Sequence, residues 1–189
     1  MFFETTYDKD NKSLLCQLGL YEQYHPIVIT ACEKYNIPWS IIAGLGSRES
    51  QWGLDLDPPG PEGTGDNGHG KGLLQIDDRS HDFAKWESWK NPRENIFYGC
   101  KVLADSISII KRRCTSESRT VVVSGYDPEQ LVRYGLAAYN AGPLAVLTAI
   151  RRGVDIDLVT TGDNYSADVL SRAGWFQRAL LVGSSTTHG

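Results

Sequence analysis

Apolar and polar residues alternate along most of this chain with the 3.6-residue period of a helix. Residues 20–36 put Tyr24, Ile27, Val28 and Ala31 on one stripe, which the Asn36-Ile37-Pro38 turn ends. Residues 11–20 predict a shorter first helix before it. From Pro38 to about Trp52, the residues Ile42, Leu45, Glu49 and Trp52 fall at i, i+3, i+7 and i+10 and share one face. Pro38 suits the opening turn, where its missing N–H has no partner to lose. Asn91-Pro92 and Asp127-Pro128 each place a capping side chain before a proline, and the helices they start are predicted to reach about Cys114 and Tyr139. The first of these should turn Ile96, Val102, Leu103, Ile107 and Ile110 inward. Its basic end, Lys111-Arg112-Arg113, suits the negative pole of the helix dipole. Asn140-Ala141-Gly142-Pro143 breaks the next helix, and another is predicted over residues 144–152. Gly162-Asp163-Asn164 caps a last helix over residues 165–181 with Val169, Ala173, Phe176 and Leu180 inward, and residues 183–189 read as a frayed tail.

Three stretches depart from the helical period. Residues 55–63 are rich in proline and form a loop. Gly65 to Asp77 reads as a tight Asp-Asn-Gly turn and a strand, with glycines where backbone must approach something closely. Val121-Val122-Val123 predicts a brief strand, and residues 81–86 one or two helical turns. The fold class is therefore α+β, mostly α-helical, with one small β-hairpin sheet. No linker or repeat interrupts it, so residues 1–189 are expected to form a single domain, with 1–19 as an N-terminal extension.

At 189 residues and 41% hydrophobic, the chain can bury a sizeable core. Its formal net charge of −4 gives no general attraction to nucleic acid or to anionic membranes, and neither is expected as a partner. No run approaches the roughly 18 apolar residues of a membrane span. The start lacks the basic and apolar regions of a secretory leader, which leaves localisation open. Cys100 and Cys114 fall on one predicted helix, about 21 Å apart at 1.5 Å per residue, too far to bridge. Free thiols are expected, with a Cys16–Cys32 pairing left open. The acids of residues 55–63 lack the spacing of a calcium loop, so no metal or other cofactor is expected.

The chemistry concentrates between Ile37 and Asp78. A glutamate on an apolar stripe is desolvated, which raises its pKa toward what a general acid near neutral pH requires. A solvated carboxylate at the helix end is the other reading of Glu49. Gly44 and Gly46 each cost roughly 1 kcal/mol relative to alanine, so another group should press on the helix backbone there. Asp66 and Asp77 bring two more carboxylates from the hairpin. One protonated carboxyl and one ionised carboxylate that orients water are the inventory of glycoside hydrolysis. His81 reads either as a ligand-facing donor or as a satisfied structural histidine. Individual residues among the five Trp and nine Tyr are more simply core than sugar platforms.

Four motifs in order carry a family resemblance. They are Ser47-Arg48-Glu49-Ser50, then Gly65 through Asp77 with Arg79-Ser80-His81, then Ala138-Tyr139-Asn140-Ala141-Gly142, then Asp163, Asn164, Tyr165, Asp168 and Val169. Together they closely resemble goose-type lysozymes, from about Tyr21 to Leu180. The resemblance implies a lysozyme-like fold whose cleft lies between the small sheet and the helical body. It implies that Glu49 is the catalytic acid and that Asp66 and Asp77 position the attacking water. Gln75, His81, Tyr139, Asn140 and Tyr165 would line the sugar-binding cleft. The implied substrate is the glycan strand of peptidoglycan, cut by a monomer at the β-1,4 bond between N-acetylmuramic acid and N-acetylglucosamine with inversion. The cysteines do not sit where goose-type disulfides would be expected, and the proline loop looks lengthened and is expected to form one lip of the cleft. Two other readings stay open. A lytic transglycosylase shares the Glu-Ser, Gly-Leu-Leu-Gln and Ala-Tyr-Asn-Ala-Gly pattern but has no use for a water-positioning pair. A non-catalytic wall-binding module could keep the fold.

Overall fold

A computed structural model of the chain describes residues 1–116 and 127–185. The strand expected at Val121-Val122-Val123 lies outside the described residues, as do residues 186–189. The expected fold class is what the structure has: six α-helices and a small antiparallel sheet among the described residues.

Helix α1, Lys12–Tyr35, replaces the two helices expected before Pro38. Asn11 caps it by accepting from Leu14 N at 3.0 Å, and Asn36 closes it in the left-handed region at φ 52°. Leu14, Gln17, Tyr21, Val28, Ala31 and Cys32 keep one buried face through the whole length. The expected break fails because Gly19 and Pro26 both face outward, where burial on the opposite side carries the helix past them.

Helix α2, Trp39–Ser50, is buried on almost every side, not along one stripe. Pro38 stands at its N-cap position, and the helix stops two residues earlier than expected. Gln51 and Trp52 adopt positive φ, 49° and 56°, so Trp52 leaves the helical register. Its ring folds back beneath the helix, where the indole Nε1 donates to Ala43 O at 3.1 Å. A Cβ on Gly46 would lie 2.6 Å from that ring, which is the close neighbour the glycine implied.

Strands β1 (Thr64–Gly65), β2 (Gly70–Lys71) and β3 (Ile76–Asp77) form a three-stranded antiparallel sheet in sequence order. The expected hairpin is thus its first pair plus a third strand. Asp66, Asn67 and Gly68 make the first turn with φ of 47°, 56° and 90°. The proline loop returns on itself so that Asp57 and Thr64 exchange both backbone hydrogen bonds at 3.0 Å.

Helices α3 (Pro92–Ser116), α4 (Pro128–Ala141), α5 (Pro143–Arg152) and α6 (Tyr165–Ser185) complete the chain. The two proline starts are as expected: Asn91 Oδ1 accepts from Arg93 N at 2.9 Å, and Asp127 Oδ1 from Glu129 N at 3.2 Å. Ile96, Leu103 and Ile110 are buried on α3, with Val102 and Ile107 half-buried. Helix α6 continues through residues 183–185, where the tail was expected to begin.

Two compact units divide the chain: Phe2–Cys100 with the residues from Leu170 onward, and Met1 with Lys101–Val169. In the former, an aromatic group made by Tyr21, Trp52 and Phe176 (Tyr21 to the other two at 5.0 and 5.2 Å between ring centres) fills the core. The N-terminal residues lie along α6, where Phe3 N donates to Gln177 Oε1 at 3.0 Å and a Cβ on Gly174 would meet Phe3 O. In the latter, Ile110, Ala137, Ala138, Val146, Leu147, Ala149 and Ile156 form the core. Cys16, Cys32, Cys100 and Cys114 are free thiols. Cys16 and Cys32 lie on α1 about 24 Å apart at 1.5 Å per residue, which removes the pairing left open.

Candidate active site

Glu49 sits at the C-terminal end of α2, half-buried, beside the half-buried Arg48 on a helix enclosed from Ser40 to Ser47 and again at Ser50. Its neighbours fix that end rigidly. Ser50 Oγ donates to Leu73 O at 2.7 Å and accepts from Gly53 N at 3.1 Å, tying the helix to the turn between β2 and β3. Ser47 Oγ donates to Gln17 Oε1 at 2.5 Å and accepts from Arg172 Nη1 at 2.9 Å. The Arg172 charge also suits the negative pole of α2. Glu49 therefore stands at the half-buried end of a buried helix, on backbone tied by Ser47 and Ser50 to α1, to α6 and to the sheet.

The sheet carries the other two carboxylates. Asp66 enters the first turn and Asp77 ends β3. Arg79 joins them: its Nη2 donates to Asp66 Oδ2 at 2.6 Å and to Asp77 Oδ2 at 2.7 Å. Its Nε reaches Asp77 Oδ1 at 2.9 Å and its backbone N the same oxygen at 2.8 Å. Side-chain hydrogen bonds from Arg79 dominate and hold the Asp77 carboxyl below its ordinary pKa, with the charges of Arg79 and His69 acting the same way. The two carboxylates correspondingly raise the Arg79 pKa. His69 Nδ1 lies 2.8 Å from Asp78 Oδ1, and Lys71 Nζ 3.3 Å from Asp78 Oδ2, which flanks the pair with a second charged group.

Gln75 explains the glycines of the sheet. It adopts φ 47°, and its Nε2 donates to Gly72 O at 2.8 Å. A Cβ on either Gly65 or Gly70 would stand 2.2 Å from its Oε1, so both strands must be bare where that side chain lies. Asn95, fully buried, braces the next turn by accepting from Leu74 N and donating to Lys71 O, each at 2.9 Å. His81 follows β3, with its backbone N donating to Asp77 O at 2.9 Å and its Nδ1 3.3 Å from the Tyr98 hydroxyl. Phe83 stacks on Tyr98 at 4.1 Å. Glu49, Asp66, Asp77, Gln75 and His81 thus belong to one unit.

Tyr139, Asn140 and Tyr165 belong to the other. Tyr139 is half-buried near the end of α4, and Asn140 is exposed, with its Oδ1 accepting from Thr161 N at 2.9 Å. Tyr165 is only 2% exposed at the start of α6. The first turn of that helix is capped from a distance: Asp157, buried, accepts from Ser166 N at 2.8 Å, Ser166 Oγ at 2.8 Å and Ala167 N at 3.1 Å. Arg133 Nη2 lies 3.3 Å from the same carboxylate. Burial alone would raise the Asp157 pKa; these hydrogen bonds outweigh it and hold it below the ordinary range.

Sequence reasoning missed Gln17, Asn95, Asp157 and Arg172, and it named Arg79 within a motif without giving it a role. For Arg79 a signal existed, since a cation two residues from Asp77 in a turn is in reach of it. For the others none did, because their partners lie far along the chain. Among the described residues no group of three or more His, Cys, Asp or Glu converges as metal ligands do.

A mostly helical α+β chain with this small sheet against the end of α2 has a lysozyme-like fold. The chain belongs to the goose-type lysozyme family, since the Lysozyme g family model matches residues 16–179. It is 32% identical to Lysozyme g of Struthio camelus over 158 residues, which is 83% of this chain and 67% of that protein. Against Lysozyme g of Gallus gallus it is 33% identical over 161 residues, 85% of this chain and 67% of the relative. Lysozyme g of Cyprinus carpio is 31% identical over 157 residues, covering 82% and 74% respectively.

Proposed function

We propose that this chain is a peptidoglycan hydrolase, a single catalytic domain that cleaves the β-1,4 bond between N-acetylmuramic acid and N-acetylglucosamine with inversion. The observation that carries this reading is the Asp66–Arg79–Asp77 group, two carboxylates assembled side by side before any substrate arrives. Such a pair can hold a water for attack on the sugar. A transglycosylase closes the sugar on its own hydroxyl, so the pair favours hydrolysis.

Glu49 would give its proton to the glycosidic oxygen as an oxocarbenium-like centre develops. Water held by the aspartates would attack the opposite face. Gln75 and His81, and in the other unit Tyr139, Asn140 and Tyr165, are carried as sugar contacts by family resemblance. General acid catalysis is typically worth about 10²- to 10⁴-fold. Glu49→Gln should therefore lower the rate of wall clearing by at least about 10²-fold with an unchanged melting temperature. A Gln variant that clears walls at the wild-type rate ends the proposal.

A further inference from the structure

We propose that Arg79 is a positioning residue that divides the labour of the two aspartates, anchoring Asp77 and leaving Asp66 to take the proton of the attacking water. This rests on the hydrolase reading above. The division follows from which oxygens Arg79 occupies. Both Asp77 oxygens are engaged, Oδ1 by the Arg79 backbone N and Nε, Oδ2 by Nε at 3.1 Å and Nη2 at 2.7 Å. Asp66 gives up only Oδ2, and its Oδ1 accepts no hydrogen bond among the described residues. A carboxylate whose lone pairs are already filled with N–H donors is a poor proton acceptor, whereas one with an open oxygen can bind water and then receive its proton.

The step balances within the site. Water oxygen bonds to the anomeric carbon, and the water proton passes to Asp66 Oδ1. The glycosidic C–O bond breaks, and its oxygen takes the proton that Glu49 held. One carboxylate gains a proton and one carboxyl loses one, so the charge of the site is unchanged.

Arg79 also keeps Asp77 ionised, because its N–H groups fill both carboxylate oxygens and hold that carboxyl below its ordinary pKa. The groups acting on Asp77 are Arg79 and His69, with His69 itself paired to Asp78, which also takes Lys71. Among the described residues Asp66 is ion-paired to Arg79 alone. Loss of Arg79 should therefore move the acid limb of activity to higher pH.

The test is a set of rate–pH profiles on soluble glycan strands for wild type, Arg79→Ala, Arg79→Lys, Asp66→Asn, Asp77→Asn and Glu49→Gln. The side chain of Arg79 is 54% exposed, so melting temperatures should hold. Arg79→Ala is expected to lose about 10-fold or more in kcat with its acid limb shifted upward, and Arg79→Lys to recover the limb but only part of kcat. Asp66→Asn should lose about 10²-fold or more, and Asp77→Asn less. A wild-type profile for Arg79→Ala overturns the proposal, and so does a lower rate with an unmoved limb, which would place Arg79 on the substrate. The reverse order of the two aspartate variants overturns the division of labour. If Arg79→Ala does not fold, Arg79→Lys decides by the same limb and rate. Glu49→Gln separates the two claims: full activity there ends the hydrolase reading itself, while an inactive Gln variant beside an unaffected Arg79→Ala ends only this one.

Discussion

Ser47 Oγ donates a 2.5 Å hydrogen bond to Gln17 Oε1, and both side chains are closed to solvent. This contact ties α1 to α2 one turn or less from Glu49. Gln17 Nε2 is satisfied in turn by Ser13 Oγ at 3.0 Å and Gln51 Oε1 at 3.3 Å. Replacing Gln17 with leucine leaves the buried Ser47 hydroxyl proton without its acceptor. Unsatisfied buried groups cost about 1–3 kcal/mol. The denaturant midpoint of Gln17→Leu should fall with an unchanged slope. An unmoved midpoint would falsify the tie between the helices.

Asp157 caps α6 across eight residues of chain, and its charge makes the cap sensitive to pH. Asp157→Asn keeps the shape but weakens the bonds from Ser166, Ala167 and Arg133, at a cost of about 1–3 kcal/mol near neutral pH. Because the folded carboxyl titrates below its unfolded value of about 3.9, this stability is present above that pH. It is lost as pH falls through the folded pKa. Wild type and Asp157→Asn should therefore differ most in thermal melts at neutral pH and converge in strong acid. Parallel curves across that range would show that the ionised cap contributes nothing.

Gly46 is enforced by the Trp52 ring. A methyl group there would sit 2.6 Å from Cζ2 of a fully buried indole, so the ring or the helix would have to shift. Overpacking of this kind typically costs about 1–3 kcal/mol. Gly46→Ala should lower the melting temperature even though alanine is the better helix former, and double replacement with Trp52→Phe should recover part of the loss. A more stable Gly46→Ala would mean the ring moves freely.

Local signals in the sequence were enough for α3 and α4, because Asn91-Pro92 and Asp127-Pro128 act within three residues of themselves. The Asp-Asn-Gly turn was legible for the same reason. The length of α1 was not, since Gly19 and Pro26 speak against a continuous helix and only burial on the far face overrides them. Nor was the fold-back of Trp52, whose spacing from Ile42 fits a helical face that its positive φ abandons. The candidate site divides along the same line. Glu49, Asp66 and Asp77 were found as residue types in a recognisable order. The groups that hold them were not: Ser47 meets Arg172 across 125 residues, and Leu74 meets Asn95 across 21. Pairings of that separation are made by the fold and leave no periodic trace.

Digestion of purified peptidoglycan by this chain, followed by mass spectrometry of the released muropeptides, tests the proposed hydrolysis most directly. Hydrolysis predicts fragments ending in a reducing N-acetylmuramic acid. Fragments ending in the anhydro sugar, lighter by one water, would contradict it.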